Sequence, residues 1–149
     1  MPEQLIFDLN KAPAYKREDY LSAPANEAAL SFILNWPNWP SNSAVIFGPA
    51  ASGKTHILHV WKAHSGAAII NASDLSESYL KELQNDFPQT LAIDNVDQRL
   101  FDNPEHQKLL FHLLNDVVAN DAALLMTALK PPMQWNVDLA DLRSRIKAL

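Results

Sequence analysis

The fold follows from the stretch Gly48-Pro49-Ala50-Ala51-Ser52-Gly53-Lys54-Thr55. It spells G-x-x-x-x-G-K-T and comes directly after Ala44-Val45-Ile46-Phe47, an apolar run that predicts a buried strand. A strand, a loop with these fixed residues and a helix, in this order, form a P-loop. The chain has three glycines, and two of them occupy the fixed positions 48 and 53, where the backbone turns tightly and approaches a phosphate.

Each position of the P-loop supplies a group for nucleotide binding. We expect the backbone N–H groups of residues 50–55 to point at the phosphates, and the helix that begins near Gly53 adds the positive end of its dipole. Lys54 reaches the β- and γ-phosphates, and the Thr55 hydroxyl ligates Mg²⁺. A chance match in a loop of small residues is the alternative, but an amphipathic helix follows the loop, as the motif requires. ATP or ADP with Mg²⁺ is therefore the expected cofactor.

The composition fits one α/β domain that can form a real core. The chain has 149 residues, of which 48% are hydrophobic. It contains no apolar run near the ~20 residues that cross a bilayer, and its N-terminus lacks the basic start of a signal peptide, so a cytoplasmic protein without membrane contact is expected. Cysteine is absent, which excludes disulfides and thiolate sites. The formal net charge of −5 argues against direct sequence-specific DNA binding.

Apolar runs and helical patterns alternate along the chain. Strands are predicted at 44–47, 67–70, 90–93 and 122–126, and helices after the P-loop, at 75–83, at 105–118 and at 139–149. This alternation predicts a three-layer P-loop NTPase, an α/β fold with a parallel sheet between helices. Residues 1–20 are assigned to an N-terminal tail and residues 21–149 to the nucleotide-binding domain.

Polar residues follow the last two predicted strands. Asp94 ends the third strand, and because ligands collect at the carboxyl ends of parallel strands we expect it to hold Mg²⁺ together with Thr55. A solvated carboxylate is the alternative. Asn95 comes next, and its amide cannot accept a proton. Thr127 ends the fourth strand beside Asp94, although a lone threonine in a strand is equally compatible with a structural role.

Together these motifs resemble those of the DnaA-related AAA+ proteins. The resemblance rests on the P-loop, on I-D-N-V-D at 93–97, on L-L-M-T at 124–127 and on D-L-R-S-R-I at 141–146, so it spans almost the whole chain. It implies an AAA+ type domain in which Asp94, Asn95 and Thr127 are catalytic positions, with Thr127 at the place of the polar sensor 1 residue. Asn95 stands where the family usually has a second acid, which implies a weak intrinsic ATPase. The family's helical lid is expected to be absent from residues 1–149.

The resemblance implies two partners, the first of which is the β sliding clamp. Gln4-Leu5-Ile6-Phe7-Asp8-Leu9 looks like the motif by which bacterial replication proteins dock on this clamp. Gln4 would bind through its amide, and Leu5, Phe7 and Leu9 would fill an apolar cleft. The alternative is that residues 5–7 form an edge strand or cover the core of this domain.

The second implied partner is the initiator DnaA. Arg145 falls at the position of the family's arginine finger, which acts in trans on a neighbour's γ-phosphate and contributes ~10³ to 10⁵ in rate. Arg143 lies two residues away, and a solvated helix arginine is a further alternative. The resemblance thus implies a negative regulator of replication initiation that docks on the clamp and stimulates hydrolysis of DnaA-bound ATP. A stand-alone P-loop ATPase or small kinase, and a nucleotide-stabilised adaptor that loads a replication protein, are the competing interpretations.

Overall fold

The computed structural model describes residues 5–8, 24–39, 42–49, 53–98, 100 and 103–135. The elements within these ranges are β1 (Leu5–Asp8), α1 (Pro24–Leu34), β2 (Ser43–Phe47), α2 (Lys54–Ser65), β3 (Ala68–Asn71), α3 (Glu77–Asn85), β4 (Thr90–Asp94), α4 (Pro104–Ala119) and β5 (Ala123–Ala128). Short 3₁₀ turns cover Ala72–Asp74 and Pro132–Gln134. None of the helices in these ranges has the length and apolar character that a bilayer crossing needs.

The strands form one parallel sheet in the order β1-β2-β5-β4-β3. The strand that leads into the P-loop, β2, therefore pairs with β5, and β5 pairs with β4 on its other side. Because all strands run the same way, their carboxyl ends meet at one edge of the sheet. That edge brings together Gly48 after β2, Asp94 at the end of β4 and Thr127 in β5.

Helices cover both faces of the sheet, which confirms the predicted three-layer α/β fold. Alternate residues of a strand point to opposite faces, and β2 shows this directly. Ala44 and Ile46 pack in the core that contains buried residues of α1 and α2. Val45 and Phe47 pack in the core that contains buried residues of α3 and α4. All five residues of β2 are buried, as expected for a strand between two helical layers.

Side-chain caps set where two of the helices begin. The Asn103 side chain accepts a hydrogen bond from the His106 N–H, and Pro104 occupies the first turn of α4, so this helix starts within one residue of its prediction. The Ser76 hydroxyl accepts from the Tyr79 N–H, so α3 begins at Glu77 and ends at Asn85. The predicted range 75–83 is wrong by two residues because the 3₁₀ turn and this cap precede the helix.

The sheet has a fifth strand that the predicted set of four did not contain. β1 pairs in parallel with β2, with Leu5 opposite Ala44 and Asp8 opposite Phe47. Of the two interpretations of residues 5–7, the edge strand is the one found in this structure. β1 lies within the segment 1–20 that the sequence assigned to a tail, so this part of the segment belongs to the sheet. The predicted helix at 139–149 lies outside the described residues.

Aromatic side chains fill the space between α1 and α2. The Trp39 ring stacks on Phe32 with 4.7 Å between ring centroids and on Trp61 with 5.1 Å. Its indole N–H donates to the Phe32 carbonyl at 2.9 Å. Trp36 meets Trp61 edge-on at 6.4 Å. These contacts hold the P-loop helix α2 against α1 and against the loop that follows α1.

Candidate nucleotide-binding site

The P-loop begins and ends as its sequence predicts. The Gly48 N–H donates to the Ala128 carbonyl at 3.1 Å, which holds the start of the loop to the end of β5. Gly53 has φ 90° and ψ 12°, a left-handed conformation that favours glycine, and α2 begins at the next residue. The loop residues Ala50, Ala51 and Ser52 lie outside the described residues.

Lys54 lies inside the turn of the loop. Its side chain is only 6% exposed, and its ammonium donates to the Gly48 carbonyl at 2.5 Å and to the Pro49 carbonyl at 2.7 Å. Burial lowers the pKa of Lys54 below its usual value, and the negative charges of Asp94 and Asp97 partly oppose that shift. The site therefore contains a buried cation close to the carbonyl groups of the loop.

Three of the predicted site residues meet at the Asp94 carboxylate. The Thr55 hydroxyl, at the start of α2, donates to Asp94 Oδ2 at 2.8 Å. The Thr127 hydroxyl, in β5, donates to Asp94 Oδ1. The prediction that Thr127 lies beside Asp94 is confirmed, although Thr127 stands inside β5, which continues to Ala128, and not at its end.

The two hydrogen bonds of Thr127 determine which way its hydroxyl hydrogen points. The side chain is fully buried, and its oxygen accepts from the Asn95 N–H at 2.9 Å. Since a hydroxyl has one hydrogen, the accepting contact leaves that hydrogen for Asp94. Thr127 therefore orients the carboxylate. Its predicted place between a γ-phosphate and a water stays a prediction.

Asn95 has a backbone reason for its residue type. Its φ is 59°, in the left-handed region where asparagine is favoured over most residues other than glycine. This turn aims the Asn95 N–H at the Thr127 hydroxyl and the Val96 N–H at the Thr127 carbonyl, the latter at 2.8 Å. The left-handed backbone therefore gives a structural reason for asparagine at the position where the sequence analysis expected a second acid.

Asp97 is a site-forming residue to which the sequence analysis gave no role. Its carboxylate accepts from the Leu129 N–H at 3.1 Å and from the Lys130 N–H at 3.0 Å. These bonds tie the loop after β4 to the turn after β5, directly beyond Thr127. The D-x-x-D spacing of Asp94 and Asp97 is the visible signal, but the partners lie more than thirty residues further along the chain.

The oxygen atoms of Thr55 and Asp94 suit a hard cation. Mg²⁺ prefers carboxylate, hydroxyl and phosphate oxygens and usually takes only one or two ligands from the protein. Thr55 remains exposed while it donates to Asp94, and its oxygen lone pairs are not used by that bond. Within the described ranges no group of three or more His, Cys, Asp or Glu side chains is arranged to hold a metal.

The structure does not test the roles of the other predicted site residues. Arg143 and Arg145 lie beyond residue 135, and Gln4 and Leu9 lie next to β1, all outside the described residues. Leu5 and Phe7 are strand residues of β1. Their roles stay predictions.

A P-loop between a buried strand and its helix, with an aspartate at the end of a second parallel strand, defines the class of P-loop NTPases. No protein-family model matches the chain. The chromosomal replication initiator DnaA of Caulobacter vibrioides is 26% identical to it over 152 residues, which cover 88% of this chain and 31% of that protein. The chain thus spans about a third of the length of the curated relatives it matches.

Solved structures agree on the fold. Domain III of DnaA from Thermotoga maritima matches with a TM-score of 0.66 and 18% identity, over 90% of this chain and 66% of that one. AMPPCP-bound DnaA from Aquifex aeolicus matches with a TM-score of 0.65 and 17% identity, over 95% of this chain and 48% of that one. The chain therefore has the DnaA-related AAA+ fold.

Proposed function

We propose that this domain binds ATP or ADP together with Mg²⁺. The observation that carries the proposal is that Lys54, Thr55 and Asp94 lie together at the carboxyl ends of β2 and β4. Lys54 is buried, and the hydroxyl groups of Thr55 and Thr127 both donate hydrogen bonds to Asp94. The AMPPCP-bound DnaA of Aquifex aeolicus shares the fold, which supports a nucleotide at this place.

Nucleotide binding gives the buried cation a better partner. Lys54 now donates to two neutral carbonyl groups, and hydrogen bonds between an ammonium and a charged phosphate oxygen are roughly twice as strong as neutral ones. The N–H groups at the start of α2 add to the attraction for an anion. Thr55 and Asp94 would hold Mg²⁺, which neutralises phosphate charge when bound.

Hydrolysis by the domain alone should be slow. Asn95 cannot act as a base, and Asp97, two residues further on, has its carboxylate hydrogen-bonded by two backbone N–H groups. We expect a turnover of no more than about 10⁻² per second, in the range of P-loop proteins that lack a complete catalytic set. Such a domain is better suited to regulation than to catalysis of its own.

We further propose a role in the negative regulation of replication initiation, like that of the regulatory inactivator of DnaA, called Hda. In this role Arg145 enters the nucleotide site of DnaA and stimulates hydrolysis of DnaA-bound ATP, while Gln4, Leu5, Phe7 and Leu9 dock on the β clamp. Sequence similarity to a DnaA initiator supports the link to replication initiation.

Nucleotide binding is tested by titration calorimetry with Mg-ADP and Mg-ATP. Lys54→Ala should lower the affinity for both nucleotides at least about a hundredfold, because it removes the lysine ammonium that lies against the loop in the described site. Lys62→Ala removes an exposed lysine from the same helix and is the matched control. Equal affinities of Lys54→Ala and Lys62→Ala would remove the P-loop from the proposal.

The regulatory role is tested in the full-length gene product, as phosphate release from DnaA-bound ATP on clamp-loaded DNA. Arg145→Ala should abolish the stimulation and keep nucleotide and clamp binding, whereas Arg143→Ala should retain most of it. Loss of nucleotide binding in Arg145→Ala would mean that the arginine acts on its own domain. Clamp binding with no effect on DnaA would favour an adaptor, and turnover of many per second without DnaA would favour a stand-alone ATPase or small kinase.

A further inference from the structure

The turn after β5 connects two parts of the nucleotide site that lie on different strands. The Ala128 carbonyl accepts from the Gly48 N–H at 3.1 Å, where the P-loop begins. The next two residues, Leu129 and Lys130, donate their N–H groups to Asp97 in the loop after β4. This turn therefore holds the first residue of the P-loop on one side and the loop after β4 on the other.

Hydrogen bonds to two side chains hold this turn in place. Leu129 and Lys130 are exposed, whereas Ala128 before them is fully buried in β5. Asp97 Oδ2 accepts from the Leu129 N–H at 3.1 Å and from the Lys130 N–H at 3.0 Å. The Trp135 indole N–H donates to the Lys130 carbonyl at 2.8 Å. Asp97 therefore holds the N–H groups of the turn, and Trp135 holds a carbonyl group.

One peptide group of this turn makes both connections. The Ala128 carbonyl and the Leu129 N–H belong to the same planar peptide unit, in which they point to opposite sides. β5 lies between β2 and β4 in the sheet, so the carbonyl faces the strand of the P-loop and the N–H faces the loop after β4. Because a peptide unit turns as a whole, the orientation that Asp97 gives to the N–H is also the orientation of the carbonyl that holds Gly48.

We propose that Asp97 is a positioning residue for nucleotide binding, which keeps the first residue of the P-loop in the place that phosphate binding requires. The role rests on the nucleotide binding proposed above, and it needs the acceptor oxygen of Asp97 but not the charge. Burial lowers the pKa of Lys54, and the charges of Asp94 and Asp97 oppose that shift, so the Asp97 charge acts within the range of the phosphate site. A negative charge there would repel an anion, so an uncharged side chain with the same oxygen should serve at least as well.

The test compares two variants that have the same charge and differ in the acceptor. Asp97→Asn keeps a side-chain oxygen for the two N–H groups, and Asp97→Ala removes it. Titration calorimetry with Mg-ADP should give an affinity at least about fivefold lower for Asp97→Ala than for Asp97→Asn. Asn42→Ala is the matched control for lost stability, because it removes two side-chain hydrogen bonds at the amino ends of β2 and β5, and it should bind like the wild type.

A second measurement needs no variant, because coupling between two sites is reciprocal. If the held turn favours the nucleotide, saturating Mg-ADP should slow hydrogen exchange of the Leu129 and Lys130 amides in the wild type, as measured by NMR. The Tyr79 amide, which the Ser76 hydroxyl holds in the same manner at α3, should exchange at an unchanged rate.

Equal Mg-ADP affinities of Asp97→Ala and Asp97→Asn would overturn the positioning role and leave nucleotide binding intact. Failure of the wild-type chain to bind Mg-ADP would overturn nucleotide binding itself, and the positioning role with it. Should Asp97→Ala not fold, unchanged exchange of the Leu129 and Lys130 amides in the nucleotide-bound wild type would still refute the positioning role.

Discussion

Removal of the Thr127 hydroxyl tests the hydrogen-bond arrangement on which the site depends. Thr127→Val keeps the size and branching of this fully buried side chain and removes both of its hydrogen bonds. Loss of a hydrogen bond to a charged carboxylate costs about 1.5–3 kcal/mol, and the Asn95 N–H is left without its acceptor. Because that N–H is only partly buried, water replaces part of the loss, and we expect a total of about 2–3 kcal/mol in the free energy of unfolding.

The measurement is urea unfolding of the ligand-free protein, followed by tryptophan fluorescence. For a chain of this length the predicted loss corresponds to a melting temperature lower by about 5–10 °C. Thr127→Ser keeps the hydroxyl and should lose only about 1 kcal/mol for the buried methyl group. Thr90→Val is the matched control, because Thr90 is a buried strand threonine whose hydroxyl lies 3.5 Å from its acceptor, the Ser65 carbonyl.

Thr90→Val should change the free energy of unfolding by less than about 0.5 kcal/mol, since a contact of that length contributes little. If Thr127→Val is no less stable than Thr90→Val, the Thr127 hydroxyl does not hold Asp94 and Asn95 in the way described. If Thr127→Ser is as unstable as Thr127→Val, the loss comes from packing and not from the hydroxyl.

Three further predictions concern neighbouring residues. Asn95→Glu should destabilise the protein by about 1 kcal/mol and Asn95→Gly should not, because of the left-handed backbone at this position; urea unfolding of both variants decides. Asp97→Ala should cost about 1 kcal/mol in the same assay, since two backbone N–H groups lose their acceptor and water replaces part of that loss, whereas Asp74→Ala at an exposed position should be near neutral. Burial lowers the pKa of Lys54 from its usual 10.5, so between the lowered value and 10.5 the unfolded chain binds more protons than the folded chain. The stability of the wild-type chain relative to Lys54→Met should therefore rise as the pH increases towards 10.5. A stability difference that does not change between about pH 8 and pH 10 would contradict the burial of the charge.

Local spacing explains why the P-loop and its neighbours could be predicted from the sequence. Gly48, Gly53 and Lys54 lie within a few residues of each other, and their positions follow from one motif. The meeting of Thr55 and Asp94 follows from a general property, the common edge at which parallel strands end. Helix α4 was placed within one residue of each of its ends because its apolar period is long and a proline marks its start.

Features that depend on distant parts of the chain could not be predicted in the same way. The hydrogen bonds that the Leu129 and Lys130 N–H groups donate to Asp97 depend on the pairing of β4 with β5, which no local sequence pattern specifies. The left-handed turn at Asn95 could not be predicted from the residue type, because most asparagines adopt ordinary backbone conformations. β1 has only four residues, and an apolar stretch of that length near a terminus suits a docking peptide as well as an edge strand.

The stacked rings between α1 and α2 give the protein an optical signal of its own. Trp39 and Trp61 lie parallel to within 16° at 5.1 Å, so the two indoles are close enough for each to affect the absorption and circular dichroism of the other. Trp61 belongs to the helix that begins at Lys54, and Trp135 lies in the core on the opposite face of the sheet. A change in the position of the P-loop helix against α1 will therefore alter the dichroic spectrum, and such a change can be followed in the unlabelled protein.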